Sequence, residues 1–264
     1  MRRALLGLYT YLEFLACCVA VLPLVAVSAL RYRGDPGRRR RGRWLRRLGR
    51  WSTRLTPLWR FEVEGAPPDD IRRRGYVVIA NHESTADPFL LSFLPFDMRF
   101  IAKAELFRPP LVGWLLRLGG DIPIRRRDRA SARRMAAECE ATVRSGMPVM
   151  LFPEGTRSAD GTLLPFKEGA FRIAVETQAP LLPVALCGTR RCRPKGSWWF
   201  GTARAVARVL PPISTTGLTL ADVPKLMSLA RARIEGARAE LETELEPAPG
   251  SSRASRREPR IAPP

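Results

Sequence analysis

Between Phe61 and Leu245, short apolar runs alternate with segments of helical pattern, and this alternation restricts the fold more than any other feature of the chain. Probable strands are Phe61–Glu64, Tyr76–Ala80, Arg99–Ala102, Asp121–Ile124, Pro148–Phe152, Leu181–Leu186 and Ala205–Leu210. Helical patterns fall near Pro88–Leu94, Leu111–Leu118, Ala130–Ser145 and Gly169–Thr177, and a longer one near Leu220–Leu245 follows the last strand. Such interleaving predicts an α/β chain, a largely parallel-sheet sandwich with helices on both faces. In sheets of this kind, active sites gather at the carboxyl ends of the strands.

Upstream of this body, Ala4 to Leu30 is a mostly apolar run interrupted by Glu13 and Pro23. As a helix it is long enough to cross a hydrocarbon core of about 30 Å. The alternative is a signal peptide cut near Val27-Ser28-Ala29. The run exceeds a usual signal core, however, and a cut chain would pass directly into Arg38-Arg39-Arg40-Arg41, which resists translocation. A retained anchor is therefore expected. Beyond it, Trp44, Leu48, Trp51, Leu55 and Leu58 recur at spacings that share one helical face, while Arg43, Arg46, Arg47, Arg50 and Arg54 fall largely elsewhere. A tryptophan-bearing stripe beside arginines suits a helix lying among lipid headgroups, the plainer alternative being a helix packed on the protein's own core. Residues 1–59 are thus expected to form N-terminal membrane-associated helices, either spanning the bilayer or lying together in one leaflet. Residues 247–264, rich in Pro, Ser and Arg, are expected to be a disordered basic tail.

The formal net charge of +20 and the pI near 11.3 call for an anionic partner, either nucleic acid or an anionic membrane leaflet. No zinc-finger, RNP-like or helix-turn-helix pattern accompanies the charge, and the arginines cluster just after the apolar anchor. Anionic membrane lipid is the simpler partner, and nucleic acid is not expected. A basic lipid- or nucleic-acid-binding protein without catalysis is the competing class. The five cysteines show no metal-ligand spacing and their odd count argues against a disulfide framework. A reducing, cytosol-facing domain follows.

Two polar clusters close predicted strands. The first is Asn81-His82-Glu83-Ser84-Thr85-Ala86-Asp87-Pro88, which contains the sole histidine. On a regular helix, residues five apart differ by about 140°, so His82 and Asp87 could meet only across a strand-to-helix turn. There the aspartate would fix the imidazole tautomer and stabilise the imidazolium. The second cluster is Phe152-Pro153-Glu154-Gly155-Thr156-Arg157-Ser158. Gly155 permits a tight turn, Arg157 offers a fork suited to phosphate, Thr156 and Ser158 add donors, and Glu154 could pair with an arginine to hold the loop.

Taken together, Asn-His-x-Ser-x-x-Asp at 81–87 and Phe-Pro-Glu-Gly-Thr-Arg-Ser at 152–158 resemble the 1-acylglycerol-3-phosphate acyltransferase family and its glycerolipid acyltransferase relatives. Phe100–Leu106 with Gly113-Trp114 and Ile122–Arg126 resembles the family's second block, and Leu182–Leu186 its fourth. Phe166–Ala170 is similar to the continuation after the third block, so the resemblance covers about residues 60–210 in order. Arg125 departs from the family, which often carries an acidic residue there.

The resemblance implies that residues 60–246 form an acyltransferase domain with His82 and Asp87 catalytic. His82 would deprotonate an acceptor hydroxyl that attacks an acyl thioester directly. Arg157 and Arg126 would hold the acceptor's phosphate, with Lys103 as a further candidate, while Gly155, Glu154 and Thr156 shape the binding loop. It implies a lysophospholipid acceptor, acyl-CoA or acyl carrier protein as co-substrate, and no metal or redox cofactor. The expected product is phosphatidic acid, made at the cell membrane with the domain on the cytoplasmic face. Another lysophospholipid or polar lipid acceptor is the alternative.

Overall fold

A computed structural model describes residues 2–35, 37–158, 161–194 and 196–246, with side chains from Ala4 onward. The tail expected at 247–264 lies outside the described residues. Seven strands form one sheet: β1 (Trp59–Glu64), β2 (Val77–Ala80), β3 (Arg99–Lys103), β4 (Ile122–Ile124), β5 (Val149–Leu151), β6 (Leu181–Cys187) and β7 (Ala203–Val209). Their order is β1-β7-β6-β2-β5-β3-β4. From β6 through β4 all pairs are parallel, whereas β7 runs antiparallel to β6 and β1 follows β7. The expected α/β sandwich is present, and each strand read from the sequence appears within a few residues of its expected bounds.

β2 and β6 are buried throughout, as central strands covered on both faces should be. Val77 and Ile79 point into a core shared with α5 (Arg129–Arg144), α6 (Gly169–Thr177) and α7 (Val223–Leu245). Val78 and Ala80 point the other way, toward Leu90 and Leu91 of α3 (Asp87–Leu91). Each fully buried aliphatic side chain contributes about 1.5–3 kcal/mol, so this two-sided core holds the sheet and fixes where its strand ends emerge.

The N-terminal segment forms α1 (Arg2–Arg31) and α2 (Arg39–Leu55), which pack antiparallel along their length. The Tyr9 hydroxyl donates to Leu55 O at 3.2 Å, Ser52 Oγ donates to Glu13 Oε1 at 3.0 Å, and Cys17, Cys18, Val21 and Val25 meet Leu45 and Leu48. Leu115 of α4 (Val112–Gly119) completes that cluster. The opposite face of α1 exposes Leu5, Leu8, Leu12, Leu15, Val19, Val27 and Leu30. A helix apolar on both its packed and its open face fits either a protein interior or a membrane. By length and composition α1 could also cross a membrane.

The tryptophan stripe expected on α2 divides. Leu48 turns into the core with α1, Trp51 and Leu55 stay exposed, and Leu58 lies past the helix end among buried residues. Arg46, expected away from the tryptophan-bearing face among the headgroup arginines, is buried. Its guanidinium lies 3.9 Å from the Phe100 ring centre and 3.7 Å from Asp121 Oδ1, a carboxylate that also accepts from Phe100 N at 3.1 Å. The contact ties α2 to β3 and to the entry of β4. Removing one partner of a buried pair leaves the other uncompensated, so Arg46→Ala should destabilise the protein by about 3–5 kcal/mol. Denaturant unfolding in detergent reads this directly, and a loss well below 1 kcal/mol would show that Asp121 needs no cation.

Candidate active site

Strand β2 delivers Asn81 and His82 to the carboxyl edge of the sheet, between the ends of β5 and β6. Asn81 clamps the exit, donating from Nδ2 to Leu186 O at 2.9 Å and accepting from Leu186 N at 2.7 Å. The chain then turns tightly enough that Asp87, at the start of α3 and followed by Pro88, comes back on His82. His82 Nδ1 and Asp87 Oδ2 are 2.7 Å apart. The same oxygen accepts from Glu83 N at 2.8 Å and Ser84 N at 3.0 Å, and Asp87 is fully buried. With Nδ1 engaged, Nε2 remains as the ring nitrogen able to take a proton, and the imidazole keeps 15% of its surface open. Phe152 stacks on the ring at 4.1 Å between centres, fixing its plane.

The second cluster closes against the first. Glu154 is buried, and among the described residues its close partners are backbone amides rather than the arginine expected from the sequence. Its Oε1 accepts from His82 N at 2.7 Å and its Oε2 from Leu164 N at 2.9 Å, so the carboxylate braces two backbone segments. Burial raises its pKa, and the two amide donors work against that rise. Ser158 N returns a bond to His82 O at 3.2 Å. Gly155 adopts φ +68, and a β-carbon there would sit 2.8 Å from Lys167 Nζ, so the glycine satisfies both the turn and the lysine beside it.

Arg157 and Thr156 are half-buried in this loop. Desolvation lowers the Arg157 pKa, the charges of Arg193 and Arg126 lower it further, and Asp87 opposes them. Those influences place three arginines within electrostatic reach of one another beside the His–Asp pair. Lys103 stands exposed at the carboxyl end of β3, 3.7 Å from Glu105 Oε1, on the same edge of the sheet.

Several residues at the site have no counterpart in the sequence reading. Thr189, just past β6, donates its hydroxyl to Asp87 Oδ1 and also lies 3.3 Å from Glu83 Oε2. Glu83 in turn lies 3.6 Å from the buried Arg238 of α7, which also donates to Gly161 O and Glu242. Arg193 is held by the first cluster, since Ser84 Oγ donates to its carbonyl at 3.4 Å. The basic run Thr189–Arg193 was the one available signal, and its spacing names no role.

A half-buried histidine on a buried carboxylate, beside a glycine–arginine loop at the carboxyl edge of a mostly parallel sheet, is chemically able to take a proton next to a bound anion. Residues 60–187 match the Acyltransferase family model, which places that stretch of the chain in the family. Among curated proteins it is 33% identical to the chloroplastic 1-acyl-sn-glycerol-3-phosphate acyltransferase BAT2 of Brassica napus over 69% of this chain and 54% of that protein. It is 38% identical to 1-acyl-sn-glycerol-3-phosphate acyltransferase beta of Homo sapiens over 64% and 61%. The chain thus spans little more than half the length of these relatives. The crystal structure of the 1-acyl-sn-glycerophosphate acyltransferase PlsC from Thermotoga maritima superposes with a TM-score of 0.77 at 28% identity, over 93% of this chain and 98% of that one.

Burial, together with the neighbouring Asp87 carboxylate, raises Glu83 from 4.5 to about 7 despite Arg238. The folded protein therefore holds this proton more tightly than the unfolded chain. The resulting stability is complete below pH about 4.5 and is lost as pH rises through about 7. E83Q removes that titration. Its thermal stability should decline less than wild type between pH 5 and 8, and parallel curves for the two proteins would disprove the assignment.

Proposed function

We propose that this chain is a membrane-bound 1-acylglycerol-3-phosphate O-acyltransferase. It would move a fatty acyl group from acyl-CoA or acyl-ACP to the free hydroxyl of 1-acylglycerol-3-phosphate, giving phosphatidic acid for phospholipid synthesis. The observation that carries this reading is the 2.7 Å contact between His82 Nδ1 and the buried Asp87 carboxylate. His82 Nε2 takes the proton of the acceptor hydroxyl as its oxygen attacks the thioester carbonyl carbon. Asp87 stabilises the imidazolium that forms. When the tetrahedral intermediate collapses the C–S bond breaks, His82 returns the proton to the departing thiolate, and an ester and a free thiol leave. Arg157 and Arg126 supply cations for the acceptor's phosphate, Lys103 and the Thr156 hydroxyl add to them, and Gly155 and Glu154 hold the loop that presents them.

The N-terminal helices give the site access to lipid. α1 is packed on α2 over much of its length, and α2 carries Arg43, Arg47, Arg50 and Arg54. A transverse α1 would draw those arginines into hydrocarbon, at about 2.5–3.5 kcal/mol each on insertion scales. The two helices therefore lie together in one leaflet of the cell membrane, the arginines meet anionic headgroups, and the domain sits on the cytoplasmic face.

Purified full-length protein in mixed micelles, given labelled acyl-CoA or acyl carrier protein donors and a panel of lysolipid acceptors, tests the reading by product mass. Phosphatidic acid is expected, and its absence beside another acylated lipid would overturn the acceptor while leaving the reaction. His82→Ala should lower kcat by about 10²–10⁴-fold, the usual contribution of a positioned base, with membrane association unchanged. Full activity in that variant would defeat the mechanism. Thr189→Val removes one donor to the Asp87 carboxylate, a bond of about 1.5–3 kcal/mol, so kcat should fall by roughly tenfold while the acceptor KM holds. A change confined to KM would place Thr189 in substrate binding instead.

A further inference from the structure

Beyond β6 the chain crosses to β7 through a loop that presents two adjacent tryptophans, Trp198 and Trp199, at 76% and 59% exposure. Trp198 is the most open large hydrophobic side chain among the described residues. An exposed pair of this size marks a contact surface, and indole, with an apolar body and one N–H, suits the boundary between hydrocarbon and water.

The loop is held at both ends. On one side the Tyr11 hydroxyl of α1 donates to Trp198 O at 2.8 Å, and the Tyr11 ring meets Phe200 at 4.7 Å. The Trp199 ring lies 3.1 Å from where a β-carbon on Gly7 would sit, so the absent side chain lets the indole rest on the helix. This seats the pair beside Leu5, Leu8 and Leu12, which are exposed on the same stretch of α1. On the other side the loop is fastened to the catalytic turn by Ser84 and by the packing of Cys192 with Ala86. Arg193 connects the two, with its guanidinium 6.0 Å from the Trp198 ring centre and its charge felt by Arg157. Arg190 and Arg191 are exposed at the base of the loop.

We propose that Trp198 and Trp199 form a second lipid-contact surface, on the catalytic domain itself, which seats at headgroup level and holds the His82 face of the domain against the leaflet. The occupant is an anionic bilayer surface. The apolar patch continues that of α1, its rim is basic, and the whole chain carries +20. The inference rests on the membrane reading above and adds to the two-helix anchor a second point of contact, which sets how the anchor and domain together tilt against the leaflet.

The test uses the full-length protein, wild type against the double variant W198S/W199S. In vesicles of phosphatidylcholine and phosphatidylglycerol with brominated acyl chains, the emission of the pair, taken as wild type minus variant, should lose about half or more of its intensity. Unquenched emission would overturn the proposal without touching the acyltransferase reading. With acceptor embedded in the same vesicles, kcat/KM of the variant should fall by about tenfold, while a short-chain acceptor dissolved as monomers is turned over within about twofold of wild type. Equal loss on both acceptors would assign the pair to substrate binding and overturn the surface. A wild-type dimer that becomes monomeric in the variant would assign the patch to a second copy of the chain, again against the proposal. Inactivity of wild type on every acceptor would sink the enzyme reading, and the quenching result would still stand.

Discussion

The Asp87 carboxylate has no solvent contact, and a charge in that position must be repaid by the protein or it will not persist. Effective desolvation penalties for a buried ion run to several kcal/mol, and each hydrogen bond to a charged group returns about 1.5–3 kcal/mol. Four groups converge on it: the His82 ring, the Glu83 and Ser84 amides and the Thr189 hydroxyl. They come from the turn after β2 and from the end of β6. The carboxylate is tolerable only when the strand order brings β6 beside β2, so the sheet topology and the orientation of the base are one constraint. β5 on the other flank of β2 adds Glu154, which holds the His82 amide from the opposite side.

What the sequence made legible follows from range. Strand and helix patterns repeat every two or 3.6 residues, so their periods survive in a local window, and all seven strands were recoverable from it. His82 and Asp87 were legible because a single turn brings them together, and Gly155 because its positive φ belongs to one residue type. Thr189, by contrast, reaches Asp87 across 102 positions of chain, and no local pattern encodes that meeting. Arg238 reaching Glu83 from the last helix is the same case. The reversed β7–β1 pair was invisible for a related reason, since strand direction depends on how a connection crosses the sheet. Arg46 misled differently. Its position on a helical wheel gives no hint that Asp121 and Phe100 await it on the inner face.

The arginine excess also changes meaning once placed. Several basic residues are absorbed by the protein's own carboxylates, as Arg204 is by Glu62 and Arg208 by Glu64, Glu240 and Glu244. Those pairs neutralise one edge of the sheet, and part of the remaining surplus lies along α2 and around the loop at 154–158. The surplus therefore has an address, and leaflet attachment need not account for all of it.

At that address the arginines work against one another. Arg157 is partly desolvated and repelled by Arg193 and Arg126, while Asp87 attracts it. Like charges held near one another, Arg157 and Arg193 half-buried and Arg126 exposed, raise the free energy of the empty site, and under the proposed function an entering phosphate would relieve that repulsion. The proton taken by His82 would rest beside the Asp87 carboxylate. Asp87 stabilises the resulting cation, and a bound phosphate would add a second negative charge. Binding energy from the non-reacting headgroup would then be spent where the proton moves, which is how a remote contact assists a chemical step. Under the proposed function, a neutral lipid acceptor would offer no such relief, so the same arginines would favour phosphate-bearing acceptors both in binding and in the step that follows.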